Sequence, residues 1–333
     1  MPASTANAAQ LCIDALNTAV DSRSSPLYTV MHMANTLEFS RQAWVIRGQS
    51  RSRRVGNWPS WFARNTGEKP LLYLHSAASS AQLCALADET AQRGILCNDI
   101  ENQPSAWPKG AQPSLPLWLA AHPRCTPYDP ASGEEARAIV LAGLRTLYVD
   151  GKPGFYYLAL HDQESAVTLD AQDREDALKG MYPIQRRQGD VRLLGAGRAL
   201  GEVVHAAHLL EQDWGVTAAV WSCPSYTRLA REAAAAERWN RLHPTAPKQS
   251  CHLRDCLAGS TTPVIAVTGY PQPIVDQLAG YVDARFVALG AGSVQASAPS
   301  RYWIVVCALR ALADEGAIDA QQVVQAMNRY PLK

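Results

Sequence analysis

The sequence has almost no net charge: 31 Lys and Arg against 30 Asp and Glu leave +1 over 333 residues. No global field therefore draws the chain to nucleic acid or to an anionic membrane, and neither is an expected partner. It also lacks any run of about 18 apolar residues free of charges and breakers, so no membrane-spanning helix is expected. The N-terminal MPASTANAAQLCIDALNTAV has no basic residue ahead of its mildly apolar stretch, which argues against an export signal. Eight cysteines (Cys12, Cys84, Cys97, Cys125, Cys223, Cys251, Cys256 and Cys307) follow no repeated short spacing; thiols so scattered imply a reducing, cytoplasmic setting. No GxSxG elbow, GxxxxGK[ST] loop or HExxH helix occurs, so the chain holds no self-contained catalytic motif of those classes.

What is present is core-forming material. A hydrophobic fraction of 47% with 18% charged residues marks a folded chain. Its length is about twice the ~150 residues of an ordinary domain, which implies two domains. Spacings of three and four predict a helix over 4–20. Leu27–Ala34 (LYTVMHMA) reads as a buried strand, and 41–64 as a basic, polar segment. Pro70–Ser76 is a second strand. Ser80–Arg93 reads as a helix ending at Gly94, since glycine enters the left-handed region freely. Residues 98–116, with four prolines, read as a long surface loop. Strands over 154–160, 190–197, 215–223, 262–270 and 285–289 alternate with helices over 133–147, 226–240, 302–315 and 319–327, and with one after the 190–197 strand that carries Leu200, Val203, Val204, Ala207 and Leu210 on one face. Asp319 is the expected N-cap of the last. Such alternation predicts an α/β protein with mainly parallel sheets flanked by helices. The polar stretch 162–189 reads as a link between domains 1–180 and 181–333.

Several constellations carry competing readings. LLGAGRALG (193–201), between a strand and a helix, invites a dinucleotide reading because glycines let a diphosphate approach a helix N-terminus. The ribose-binding carboxylate expected after the next strand is replaced by Trp221, Ser222 and Cys223, which favours a plain tight turn. His205 and His208 sit three apart on a helix, and Cys251, His252 and Cys256 are close in sequence, but neither set has the extra ligands of a zinc site. RGQSRSRR, interleaved with Trp44, Trp58 and Trp61, offers a phosphate-binding surface, against the plainer reading of a solvated loop anchored by WPSWF.

WSCPSYTRLAREAAAAERWNRLHP (221–244) then carries a specific likeness: strand, Ser/Thr-rich turn, T-x-L-A-R helix and E-R-W-N-x-L-H-P stand in the order found in bacterial-type homodimeric pyruvate dehydrogenase decarboxylating components, members of the transketolase-like thiamine diphosphate family. VRLLGAGRAL with AAHLLEQDWGV (191–216), TPYDPASGEEARAIVLAGLRTLY (126–148), FYYLAL (155–160), QLCALADETAQRG (82–94) and SWFA (60–63) keep the family's order. The chain thus resembles the family's pyrimidine-binding and C-terminal domains, without a counterpart of its diphosphate-gripping N-terminal domain.

The resemblance implies two transketolase-like domains and a beta-like subunit of a split 2-oxo acid decarboxylase or dehydrogenase. Thiamine diphosphate with Mg²⁺ would be shared with a partner chain in a homodimer or heterotetramer, which hands its product to a lipoyl or carrier protein or to another carbonyl. ANTLEFSRQ (34–42) resembles the family's A-R-T-F-G-M-E-G-L-F-R-Q and implies that Glu38 activates the cofactor, against the plainer reading of a surface carboxylate. His75, next to the strand end where the family's tyrosines approach the site, is a proton-transfer candidate, against the plainer reading of a core or surface histidine. Ala77 and Ala78 stand where the family places an aromatic and methionine platform for the pyrimidine, so a flat apolar contact of about 1 kcal/mol is missing. The family's histidine loop is replaced by HDQESAV, with His161 displaced, and its C-terminal loop is shortened, leaving Arg301 as a counterpart. These departures imply a divergent subunit or, as the alternative, a non-catalytic pseudoenzyme that docks or regulates a relative.

Overall fold

A computed structural model describes residues 3–18, 25–48, 69–89, 93–165, 167–292 and 298–332. The chain divides into two compact units, Met1–Asp170 and Ala171–Lys333, so the 171–179 stretch, placed in the first half by the sequence reading, groups with the second. Each unit is built on a five-stranded sheet covered by helices, which is the expected α/β class with mainly parallel sheets. Among the described residues, no helix is long and apolar enough to cross a membrane.

The first unit contains α1 (Ala3–Thr18), α2 (Pro26–Ser40), β1 (Trp44–Arg47), β2 (Leu71–His75), α3 (Ser80–Glu89), β3 (Arg93–Asn98), α4 (Ser114–Ala121), β4 (Cys125–Tyr128), α5 (Gly133–Leu144) and β5 (Gly154–Ala159). The strands lie in the order β1-β2-β3-β5-β4, all parallel. A parallel sheet covered on both faces takes near-continuous apolar strands, and β5 (GFYYLA) is buried at every position.

Two expectations fail here. Leu27–Ala34 is helical: Ser25 caps α2 by accepting from the Tyr28 amide, and Pro26 occupies the first turn, where its missing N–H costs nothing. Pro26, Thr29, Val30, Met33, Ala34 and Leu37 are buried at spacings of three and four, and this stripe packs on α5. The eight-residue window was too short to separate that period from a buried strand. Gly94, expected to end a helix, instead lies inside β3, paired with Phe155. It takes no positive φ, and the apolar run Ile95–Cys97 is fully buried between β2 and β5.

The expected loop over 98–116 contains 3-10 turns at Ile100–Asn102 and Pro108–Gly110 and the start of α4. The basic 41–64 segment contributes β1 through Trp44–Arg47; its Arg51, Arg53, Arg54, Trp58, Trp61 and Arg64, with the SWFA piece, lie outside the described residues.

The second unit contains α6 (Ala171–Lys179), β6 (Tyr182–Pro183), β7 (Val191–Gly195), α7 (Ala199–Trp214), β8 (Ala218–Ser222), α8 (Tyr226–Leu242), α9 (His252–Leu257), β9 (Val264–Pro271), α10 (Pro273–Asp276), β10 (Phe286–Ala291), α11 (Arg301–Asp314) and α12 (Ala320–Arg329). Its order is β10-β9-β7-β8-β6, with β6 the one antiparallel edge. The stretch read as a linker therefore supplies α6 and an edge strand. Asp319 caps α12 by accepting from the Gln321 amide, as its carboxylate predicts.

The glycine turn after β7 is tight for a packing reason. A Cβ on Gly195 would stand 2.9 Å from Leu200 Cα and 3.1 Å from Val203 Cγ2, so glycine is what lets α7 lie against its own strand.

Candidate functional site at the carboxyl edge of the first sheet

Parallel strands end together, and the loops that leave their carboxyl ends gather polar groups in open α/β sheets. In the first unit these ends are Arg47 on β1, His75 on β2, Asn98 on β3 and Tyr128 on β4.

His75 is 5% exposed. Its Nδ1 accepts the Ala77 amide at 3.2 Å, so the ring proton belongs on Nε2, for which the described residues offer no acceptor. The Tyr73 and Tyr157 rings lie 5.8 and 6.4 Å away, centre to centre. Burial pushes the imidazole down to about 3, because loss of water penalises the charged form. At neutral pH His75 is an uncharged donor. An unsatisfied buried donor costs about 1–3 kcal/mol.

Asn98 ties the neighbouring strand ends together: Nδ2 donates to Tyr157 Oη and to the Ala77 carbonyl, each at 2.9 Å, while Oδ1 accepts the Ile100 amide at 3.1 Å. Ser76 donates to Asp99 in a short contact, and the Asp99 amide donates to the His75 carbonyl at 3.0 Å.

Beside this network Lys109 is almost wholly buried, in a short ion pair with Asp129 and 3.5 Å from Glu101. Burial works against its charge, but the Asp129 and Glu101 carboxylates outweigh that and raise the ammonium above its ordinary value. Sequence reading missed Asn98, Tyr157 and this triad. Asn98 did carry a signal, as the polar residue that ends the apolar run Ile95–Cys97.

Glu38 lies on the exposed side of α2, its side chain 45% accessible. Arg47 donates to both of its oxygens, Nε at 3.3 Å and Nη2 at 3.0 Å. Since Arg47 is paired in register with Leu74, the residue before His75, Glu38 is anchored at the same edge of the sheet as the histidine, on the adjoining strand. Ala77 is buried, and its amide and carbonyl are taken by His75 and Asn98. The Ala78 amide donates to Gln82 Oε1 at 2.7 Å, and the Ala78 carbonyl accepts from Gln112. The turn is therefore held closed by bonds from its backbone to the His75, Asn98 and Gln82 side chains and the Gln112 amide.

The other candidates have local duties. His161 is 1% exposed, and its Nε2 meets the Pro130 carbonyl at 3.1 Å. Arg301 grips Glu202 with Nε, Nη2 and its own amide at 2.6–3.0 Å. His205 bonds the Gly201 carbonyl of its own helix. His252 bonds the Met181 carbonyl at 2.8 Å, and burial pushes the adjacent Cys256 thiol up to about 12. Among the described residues, no three His, Cys, Asp or Glu side chains converge to hold a metal ion.

Comparison with known proteins agrees with the fold. Residues 180–302 match the transketolase-like TK C-terminal domain family. The pyruvate dehydrogenase E1 component of Cupriavidus necator is 34% identical over 269 residues, 75% of this chain and 30% of that protein. That of Pseudomonas aeruginosa is 36% identical over 231 residues, 64% of this chain and 26% of that protein. The chain thus spans about 30% of the length of these relatives. Among solved structures, a split-gene transketolase described as an inactive beta4 tetramer superposes with a TM-score of 0.56 at 13% identity, covering 87% of this chain and 99% of the other. Transketolase from Leishmania mexicana gives 0.53 at 14% identity, covering 94% of this chain and 47% of the other. The chain is therefore an α/β protein of transketolase-like fold, similar along three quarters of its length to the bacterial pyruvate dehydrogenase E1 component.

Proposed function

We propose that this chain is the beta-like subunit of a split thiamine diphosphate-dependent enzyme that decarboxylates a 2-oxo acid, completed by a second chain that holds the diphosphate and Mg²⁺. The observation that carries this reading is the exposed Glu38 carboxylate of α2, held by Arg47 at the end of β1, the strand that adjoins the one ending in the buried His75. The fold that this reading needs is supported by the superposition of a split-gene transketolase chain over 99% of its length.

The residues fit the aminopyrimidine half of the cofactor. Glu38 offers an accessible carboxylate for a ring nitrogen, while His75 Nε2–H is enclosed and acts on the cofactor only where the site opens on binding. Glu38 and His75 are the catalytic candidates, with the 77–78 turn beside the ring. When bound, the cofactor supplies a thiazolium carbon that serves as a carbanion, the chemistry that 2-oxo acid decarboxylation requires. The chain's own part is to hold and orient the pyrimidine through Glu38, to keep His75 neutral, and to exclude water with the buried Tyr157–Asn98 network. Ala77 and Ala78 contribute closure without a stacking surface. Diphosphate and metal are assigned to the partner, in a homodimer or heterotetramer that passes the product to a lipoyl or carrier protein in the cytoplasm.

Two observations favour a second reading, a pseudoenzyme that docks or regulates: both Glu38 oxygens are already taken by Arg47, and the Ala77–Ala78 turn is closed by its own hydrogen bonds. Calorimetric titration of thiamine diphosphate and Mg²⁺ into the chain, alone and with a chain carrying the diphosphate-binding domain, separates the two. Binding only in the mixture, with turnover of a 2-oxo acid lost in Glu38→Ala, is the expected result. A stable complex that takes up no cofactor overturns the catalytic reading in favour of the second.

A further inference from the structure

A cleft of about 260 Å³ opens at the amino edge of the second sheet. Its walls are the start of β7, the end of α9 with the turn after it, and the 281–284 segment that leads into β10. β7, β9 and β10 are parallel, so the cleft lies at the opposite end of this sheet from the glycine turn at 195–197. Every lining residue belongs to the second unit.

Two guanidiniums line it. Arg192 Nη1 donates to the Leu257 carbonyl at 2.7 Å, and Arg254 Nε donates to the Tyr281 carbonyl at 3.4 Å. Neither meets a carboxylate among the described residues, whereas Arg285, Arg301, Arg310 and Arg329 of the same unit all do. A carbonyl fixes the plane of a guanidinium but brings no counter-charge, and most of its five N–H donors stay available. Arg192 is half-buried, and loss of solvent lowers its guanidinium from the ordinary value with no carboxylate acting against that. An oxyanion entering the cleft supplies the missing counter-charge through charge-assisted hydrogen bonds.

The rest of the lining sets a limit on that anion. Asp255 and Asp283 are exposed at the rim, and Asp255 already accepts the Ser250 hydroxyl at 2.5 Å. Two carboxylates beside the entrance repel a ligand of high negative charge. The volume also suits a small molecule, since one water occupies about 30 Å³ of liquid. Gly259, with φ of +74° and open space where a Cβ would stand, keeps one side of the mouth clear.

We propose that this cleft binds a small, singly charged oxyanion, a monocarboxylate or a phosphate monoanion, clamped by Arg192 and Arg254 and screened against higher charge by Asp283. The site is independent of the carboxyl edge of the first sheet, and nothing in the catalytic reading requires it.

The test is calorimetric titration of the full chain at pH 6.0 with acetate, inorganic phosphate and citrate in separate arms. Saturable binding of acetate or phosphate with Kd below about 5 mM, and weaker binding of citrate, is expected. Loss of one charged clamp in Arg254→Gln weakens the anion about tenfold or more. Asp283→Asn, at an exposed rim position, tightens it about twofold and gains most with citrate. Arg310→Gln, whose partner is Asp314, leaves the affinity unchanged. Acetate binding without phosphate identifies a carboxylate site, and the reverse identifies a phosphate site. The proposal is overturned if neither anion saturates by 50 mM, about ten times the expected Kd, or if Arg254→Gln and Asp283→Asn both bind like the parent.

Discussion

Arg47 holds Glu38 by both carboxylate oxygens, from a position in the sheet that is paired with Leu74, the residue before His75. The pair is one-third to one-half exposed, so solvent screens it and the stability it adds is under about 1 kcal/mol. Its effect is to fix where the carboxylate stands. Arg47→Met is therefore expected to leave the denaturation midpoint nearly unchanged, while it alters the affinity of the assembled complex for thiamine diphosphate in calorimetric titration. A large loss of stability would instead make the pair a structural strut.

His75 gives a pH dependence with a definite sign. Its folded-state value is about 3, against about 6.5 for an unperturbed histidine, so the unfolded chain binds the proton more readily. The neutral ring contributes its full stability above 6.5, and this is lost as the pH falls toward 3. The expected slope is about 1.4 kcal/mol per pH unit across that window. Urea denaturation of the parent and of His75→Gln from pH 7 to pH 4 tests it: the variant should lose less stability on acidification. Parallel curves would mean that the ring is reached by solvent.

The same two residues mark what a sequence reading can and cannot reach. His75 was reachable because LLYLHS reads as a strand and the resemblance places the family's tyrosines at that strand end; its burial shows only in the folded sheet. Glu38 was found by likeness alone, within a segment whose first part was assigned as a strand. The error arose because Tyr28 to Ala34 holds few polar residues, and the capping Ser25-Pro26 pair, which decides for helix, lies just outside the apolar run. Asn98, Lys109 and Asp129 were out of reach for another reason. Asn98 meets Tyr157, and Lys109 meets Asp129, only after β3, β5, the proline-rich turn and β4 are brought to one edge, and no local period records such contacts.

Gly195→Ala tests the turn that resembled a dinucleotide site. Its Cβ would stand 2.9 Å from Leu200 Cα, so helix α7 must shift, at a cost of about 1–3 kcal/mol. The expected outcome is a lower melting temperature, with NADH leaving the melting curves of parent and variant unmoved. Protection of the parent by NADH would revive the dinucleotide reading.

Lys109 is the strongest electrostatic commitment at the candidate site. Its side chain is 3% accessible, between Asp129 at 10% and Glu101 at 8%. In Lys109→Met the buried Asp129 and Glu101 carboxylates lose the ammonium they share, and removal of one member of a buried pair costs about 3–5 kcal/mol. The raised ammonium value means that the contribution is complete below the ordinary lysine range near 10.4 and is lost only as the pH rises through the folded-state value. Neutral-pH denaturation should therefore report the full loss. Adding Asp129→Leu removes one stranded carboxylate, so Lys109→Met with Asp129→Leu should be more stable than Lys109→Met alone. If Lys109→Met unfolds no more easily than the parent, the triad is hydrated in solution, and its place beside Tyr157 and Asn98 cannot be a dry wall of the site.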